Sequence, residues 1–270
     1  SVKKIFKLKN RPKLNPLIIH YYNLSDAMND IEINQNFIKL FNRFCPGPIT
    51  FILKRKINSK INHLACAKMS TVAVRFPKHR IIRSLLKKIN FPLAMPSANK
   101  SSNVSPVNAK DVFEEFENKI KLILDGGKSR FGIESTVIDL TSVPKILRPG
   151  IIGKKIVEKT LKLRIKTNHI SKIKSPGMLK KHYSPGIPVL INQKKYDGKS
   201  AYIYIGTKFK NKKNFFCLSK NFNLEEAASN LYKTFRIIKK KGYKKIQIMK
   251  IPNKGPGIAI NDRIKRASEF

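Results

Sequence analysis

Four sets of short polar and cationic residues stand at the ends of apolar runs in this chain, and they share a sign. Arg11, Asn15 and His20 flank residues 17–19, and Thr71 and Arg75 bracket Val72, Ala73 and Val74. Ser97, Asn99 and Ser105 follow Pro92-Leu-Ala-Met-Pro96, while Ser135 opens one further apolar stretch and Arg148 closes another. All are donors or cations. No pair of carboxylates, no Ser-His-Asp order and no cysteine nucleophile accompanies them. Such a set holds anionic oxygens and stabilises charge at phosphorus, as phosphoryl and nucleotidyl transfer require.

Each set also has a plainer reading. From Ser97 to Ser105 every second residue carries a short hydrogen-bonding side chain, and such a loop can hold phosphate or carboxylate oxygens. The same residues could form a surface turn that caps a helix starting near Asn108. His20 alone could be a strand-end residue, and Arg11 a solvated charge. Three glycines between Asp125 and Ile133 either let backbone approach a ligand or turn a hairpin. Arg75 at the end of a buried strand is costly unless an anion meets it.

These residues need elements to position them. The chain starts in an apolar and basic segment, Val2 to Leu8, followed by two prolines that stiffen the turn into a strand ending at His20. Ser25 can cap a helical region, and Phe37, Leu40, Phe41 and Phe44 share one helical face. Strands are expected at residues 49–53, 71–77, 120–124 and 135–139, with amphipathic helices near 81–89 and 112–120. Alternating strands and helices imply a mixed α/β domain. Residues 164–186 lose periodicity and read as a lid-like linker. After it the order is strand, strand, strand, helix, strand, helix, the long helix running from Leu224 to Lys240 with acidic residues at its start and lysines at its end. That is a small Rossmann-like unit, without the Gly-x-Gly-x-x-Gly of a dinucleotide site.

With 270 residues and 41% hydrophobic content the chain can bury two cores. It has no run of eighteen apolar residues and no signal-peptide core, so a soluble cytoplasmic protein with no membrane partner is expected. Cys45, Cys66 and Cys217 are odd in number and widely spaced, which fits reduced, mostly buried thiols. The net charge of +41 invites a basic RNA-binding module as an alternative function. Both halves are basic, however, and 45 of the 57 cations are lysine. That breadth fits a compositional drift that covers any solvated face, with non-specific binding at low salt.

Ordered along nearly the whole chain, seven segments resemble the YrdC-type threonylcarbamoyl-AMP synthases in their long two-domain form. They are Lys9-x-Arg11-Pro-x-x-Asn15-Pro, Thr71-Val-Ala-Val-Arg75, Pro96-Ser-Ala-Asn99, Glu134-Ser-Thr136, Leu147-Arg-Pro-Gly150, Ser175-Pro-Gly-Met-x-x-x-His182-Tyr183-x-Pro185 and Gly255-x-Gly257-x-Ala-Ile-x-Asp262-Arg263. The resemblance implies a twisted mixed-sheet catalytic domain at 1–163, the linker at 164–186 and the Rossmann-like domain at 187–270. It implies a reaction of L-threonine, bicarbonate and ATP giving threonylcarbamoyl-adenylate and pyrophosphate, for modification of tRNA adenosine by downstream threonylcarbamoyl-transferase proteins, with tRNA or other RNA as a further contact.

Carried over residue by residue, the resemblance assigns Arg11, Asn15, Thr71, Ser97, Ser105, Arg148 and Tyr183 to ATP, and His20, Arg75, Met95 and Ser135 to threonine. Lys9, Arg11 and Asn99 form the catalytic signature at the phosphates. Mg2+ is implied with ATP, held by phosphate oxygens rather than dedicated protein ligands, since acidic residues do not cluster here. Met95 stands where a smaller residue is usual. The family also has a Thr- and Tyr-containing turn ahead of Lys9, so the chain reads as N-terminally incomplete, with a non-catalytic paralogue as the alternative.

Overall fold

The structure is a computed structural model that describes residues 1–165, 182–209 and 213–269. They form two compact units, one of residues 1–96 and 135–165, the other of residues 97–134, 182–209 and 213–269. The first unit opens with helix α1 (Val2–Lys9), strand β1 (Ile18–His20), helices α2 (Leu24–Met28) and α3 (Gln35–Phe44), strands β2 (Ile49–Lys54) and β3 (Thr71–Arg75), helix α4 (Arg80–Ile89) and strand β4 (Leu93–Ala94). Helix α5 (Ala109–Phe116) belongs to the second unit, and the chain then returns to the first with β5 (Thr136–Asp139), β6 (Lys145–Arg148) and α6 (Lys154–Leu161).

The first sheet is mixed, in the order β4-β1-β3-β2-β5-β6. Period-two alternation gives it two unlike faces. One face carries Ile19, Phe51, Leu53, Val72, Val74 and Ile138 into a core completed by Phe6, Ala27, Phe37, Leu40, Val157 and Leu161, which come from four helices. The opposite face carries a thin patch made of strand residues, namely Ile18, Ile52, Ala73, Val137 and Leu147. The site residues of this unit extend that second patch.

The second unit continues with β7 (Val189–Leu190), β8 (Ala201–Tyr204), β9 (Phe215–Cys217), α7 (Leu224–Lys240), β10 (Ile246–Ile248) and α8 (Pro256–Ser268). Its sheet, β7-β10-β8-β9, is parallel throughout. This is the mixed α/β sheet and small parallel α/β sheet that the strand and helix order implies. Asn223 caps α7 by accepting from the Glu225 and Glu226 amides, as the acidic first turn suggests.

Two local expectations change, at the cap of α2 and at residues 120–124. The segment at Val2 is helical, because Phe6 and Lys9 are placed to bury one face. Helix α2 is capped by Asn23, whose Oδ1 accepts from Asp26 N at 2.8 Å, while Ser25 only donates to the same oxygen. Residues 120–124 are not a strand; Leu122 and Leu124 are exposed and have no ladder partner among the described residues. The loop 97–134 groups with the C-terminal residues. Of the linker expected at 164–186, residues 166–181 lie outside the described residues. Cys66 is buried, Cys45 and Cys217 half-buried, and all three are free thiols.

Candidate functional site

In the first unit the register of the sheet gathers the assigned groups at one end. His20 pairs with Arg75 across parallel strands β1 and β3. Strand β2 runs antiparallel to β3 and parallel to β5, which brings Ile49 opposite Thr136, and β6 returns Arg148 opposite Val137. The ends of β1, β3 and β6 and the beginnings of β2 and β5 therefore meet along one edge. His20, Arg75, Thr50 and Ser135 also have the same parity as Ile18, Ala73, Ile52 and Val137, so they lie on the face without the helical core. Thr71 has that parity too, but stands at the other end of β3, about 13 Å away along the strand. There it borders a cavity with Glu32, Lys54, Arg55 and Thr141.

The side chains at this edge hold one another. Ser135 Oγ lies 2.8 Å from Thr50 Oγ1. Arg148, buried, donates from Nε to the Ser135 carbonyl at 3.1 Å and from Nη2 to Ser135 Oγ at 3.0 Å. His20 Nδ1 is 3.1 Å from the Ile18 carbonyl. Burial first, and then the Arg75 charge, lowers the His20 imidazole to about 3, so it is neutral at ordinary pH. Met95, half-buried, follows the short edge strand β4 and its amide donates to Ile18 at 3.1 Å.

Arg11 and Asn15 form a separate knot in the loop after α1. Asn10 ends the helix in a left-handed conformation, φ 49°, and the Arg11 amide donates back to Phe6 at 2.9 Å. The Arg11 guanidinium donates to the carbonyls of Asn15 and Pro16 and to Asn15 Oδ1 at 2.7–2.9 Å. That shape fixes the guanidinium through neutral acceptors. The Asn15 amide nitrogen is buried with no hydrogen-bond partner among the described residues, which leaves a donor for a ligand oxygen. Lys9 is buried in the last turn of α1.

Ser97, Asn99, Ser105 and Tyr183 belong to the second unit. The loop read as a row of outward donors satisfies much of itself. Asn99 Nδ2 donates to the carbonyls of Lys100 and Asn103 at 2.7 and 2.9 Å, and Asn103 Nδ2 donates to Glu115 at 2.7 Å. Asn108 caps α5, the plainer reading of this stretch. Ser97 is half-buried. Ser105 donates to Glu134 Oε1 at 2.7 Å. Tyr183 is fully buried, 4.0 Å from the His182 ring and 5.7 Å from Tyr232, with the Arg263 guanidinium 5.1 Å from its centre. The glycine reading is corrected at Gly132. With φ 65°, a Cβ there would come within 2.5 Å of the Ser229 carbonyl, so this glycine admits helix α7 and not a ligand.

Sequence reasoning missed Thr50, Glu134, Tyr232 and Arg263 as site neighbours. Glu134 and Arg263 stand inside quoted motif segments, which was an available signal. Thr50 and Tyr232 look like ordinary strand and helix residues. Among the described residues no group of three or more His, Cys, Asp or Glu could hold a metal ion. The donors gathered here are cationic or amide in character and do not fit a protein-held Mg2+. No helix among the described residues is long and apolar enough to cross a membrane.

Comparison with known proteins agrees with the ordered segments. The Sua5-YciO-YrdC family, described as telomere recombination, matches residues 1–150, and the threonylcarbamoyl-AMP synthase C-terminal domain matches residues 140–269. The chain is 35% identical to the threonylcarbamoyl-AMP synthase of Pyrococcus abyssi, covering 100% of this chain and 85% of that protein. For the Bacillus subtilis enzyme of the same name the identity is 30%, covering 99% and 83%. The crystal structure of P. abyssi Sua5 complexed with L-threonine superposes with a TM-score of 0.89 at 34% identity, covering 99% of this chain and 84% of that one. The matched family models, the full-length identity and the shared two-sheet structure place this chain in the YrdC-type threonylcarbamoyl-AMP synthase family.

Proposed function

We propose that this chain condenses L-threonine, bicarbonate and ATP into threonylcarbamoyl-adenylate and pyrophosphate. The observation that carries the reading is the joint placement of His20, Arg75, Thr50, Ser135 and Arg148 at one end of one sheet face. Arg75 takes the threonine carboxylate, and neutral His20, Met95 and Ser135 shape its side-chain pocket. Arg11, Asn15 and Arg148 take nucleotide oxygens, with Lys9 and Asn99 at the phosphates; Thr71, Ser97, Ser105 and Tyr183 are also assigned to ATP. Residues 1–163 form the catalytic domain, 164–186 the linker and 187–270 the C-terminal domain.

The chemistry follows from that donor set. Once the threonine amine has captured carbon dioxide or bicarbonate, the carbamate is already an anionic nucleophile. Its oxygen bonds to the α-phosphorus while the bond to pyrophosphate breaks. Positioning and charge neutralisation then matter more than a general base. A histidine held neutral adds polarity without competing for the carboxylate. Mg2+ supplied with ATP would shield phosphate charge, with no carboxylate of this site needed to hold it. The labile adenylate passes to a transferase that acylates an adenosine of tRNA, in the cytoplasm.

Pyrophosphate release that requires threonine and bicarbonate together is the expected result, abolished by Arg75→Ala. Tight tRNA binding with a steep salt dependence and no threonine requirement would favour the RNA-binding alternative instead.

A further inference from the structure

We infer that Arg263, on the C-terminal helix, is a positioning residue for ATP, acting through Glu134 on Ser105 and through its guanidinium face on Tyr183. The inference rests on the proposed assignment of Ser105 and Tyr183 to ATP. Arg263 is the largest fully buried side chain among the described residues. Burying a guanidinium costs several kcal/mol, and a leucine or methionine would fill a core more cheaply. Its contacts indicate what the charge does there.

Two routes leave the same guanidinium. Along the first, Arg263 Nε donates to Glu134 Oε2 at 2.8 Å, and Glu134 accepts the Ser105 hydroxyl on Oε1 at 2.7 Å. Tyr232 donates to the same carboxylate at 3.0 Å. That network fixes the direction of the Ser105 hydroxyl. Along the second, the guanidinium face lies 5.1 Å from the Tyr183 ring centre, and Tyr232 stacks on the other contact of that ring at an interplanar angle of 22°. Asp262 holds Nη1 at 2.5 Å and Arg266 at 3.2 Å, which keeps the arginine from turning.

Tyr183 needs such support. Its φ of 64° is left-handed, a conformation that is unfavourable for a non-glycine residue and persists only where the surroundings over-determine it. The next residue is tied down as well, since Ser184 N donates to Ser102 and Val104 N donates to Ser184. Loop 102–105 and residues 182–184 are thus bound to each other through backbone, and to α8 through the Arg263 side chain and the bond from His182 N to the Arg266 carbonyl at 3.4 Å.

Three full-chain variants test the role: Arg263→Lys, which keeps the charge but not the planar fork; Glu134→Gln, which keeps the shape but not the charge; and Tyr232→Phe, which removes one hydroxyl. The measurements are the KM for ATP, the KM for threonine, kcat and the thermal midpoint. The first two variants should raise the KM for ATP tenfold or more and leave the KM for threonine within twofold, with Tyr232→Phe raising the former about threefold. An ATP KM within twofold of wild type in the folded variants overturns the inference, as does a fall in kcat that merely follows the folded fraction. If Arg263→Lys does not fold, the two milder variants decide by the same criteria. A wild-type chain that releases no pyrophosphate with threonine and bicarbonate sinks the functional reading instead. ATP affinity measured by calorimetry in the same variants then decides the positioning role.

Discussion

Arg11 and Arg148 in the first unit, and Arg236 and Arg263 in the second, are all largely removed from water, yet different chemistry orients them. Arg11 donates to two carbonyls and an amide oxygen, and Arg148 donates to the carbonyl and hydroxyl of Ser135. Arg236 faces Asp111 and Glu115 at 3.7 and 3.6 Å and also donates to the Val104 carbonyl, while Arg263 is held between Glu134 and Asp262. A neutral acceptor fixes a guanidinium without cancelling its charge, whereas a carboxylate does both. Bonds of the first pattern orient a guanidinium without themselves neutralising it. The second spends the charge on holding chain segments together.

The comparison is sharpest if the two kinds are truncated in parallel. Arg148→Ala should lower kcat/KM for ATP by about 10²–10³-fold, the size seen when one preorganised donor to a developing negative charge is removed. Its stability cost should be near 1 kcal/mol, the worth of an ordinary hydrogen bond. Arg236→Ala should do the reverse, losing about 2–3 kcal/mol in urea denaturation because Asp111 and Glu115 remain half-desolvated, with kcat/KM within a few-fold of wild type. Equal effects on both quantities in both variants would erase the distinction. Gly132→Ala comes next at about 2 kcal/mol, from a backbone clash at positive φ, whereas Gly127→Ala, also at positive φ but in open space, should cost about 1 kcal/mol or less.

Sequence made the first pattern easier to see than the second. Arg75 and Ser135 stand beside strands whose alternation is visible, so their convergence on a sheet end follows once strand order is known. Strand order itself was not legible, because β2 pairs with β5 across more than eighty residues and nothing local encodes that partner. Asn99 carries two readings at once. Its type suggested a donor to phosphate, but a short amide in an irregular turn serves neighbouring carbonyls equally well, and here it donates to Lys100 and Asn103. Residues 120–124 looked like a strand by apolar content alone, and content without a partner does not make one. Arg263 was invisible as a buried charge because it stands with Lys265 and Arg266 in the cationic second half of α8, and its burial depends on Glu134, 129 positions earlier.

His20 offers the finest test, because it is buried at the sheet end beside Arg75, its partner in the parallel register of β1 and β3. Burial and then the neighbouring Arg75 lower its pKa to about 3, against the backbone hydrogen bonds to Ile18 and Leu93, which work the other way. The unfolded chain returns the imidazole to its ordinary value of 6.5. Above that pH both states are neutral and His20 contributes nothing to the pH dependence. Between 6.5 and about 3 the unfolded state binds a proton that the folded state refuses, so stability must fall as pH falls, with a limiting slope of about 1.4 kcal/mol per pH unit. By pH 5 the wild type should have lost about 2 kcal/mol more than His20→Asn, measured by urea denaturation at each pH. Threonine affinity should show no inflection from His20 between pH 6 and 8. Parallel stability curves for the two proteins would mean that the imidazole is free to charge in the folded state. Burial at the sheet end, and the Arg75 charge after it, would then not hold the imidazole neutral, and His20 would not be the neutral wall of the threonine pocket proposed for it.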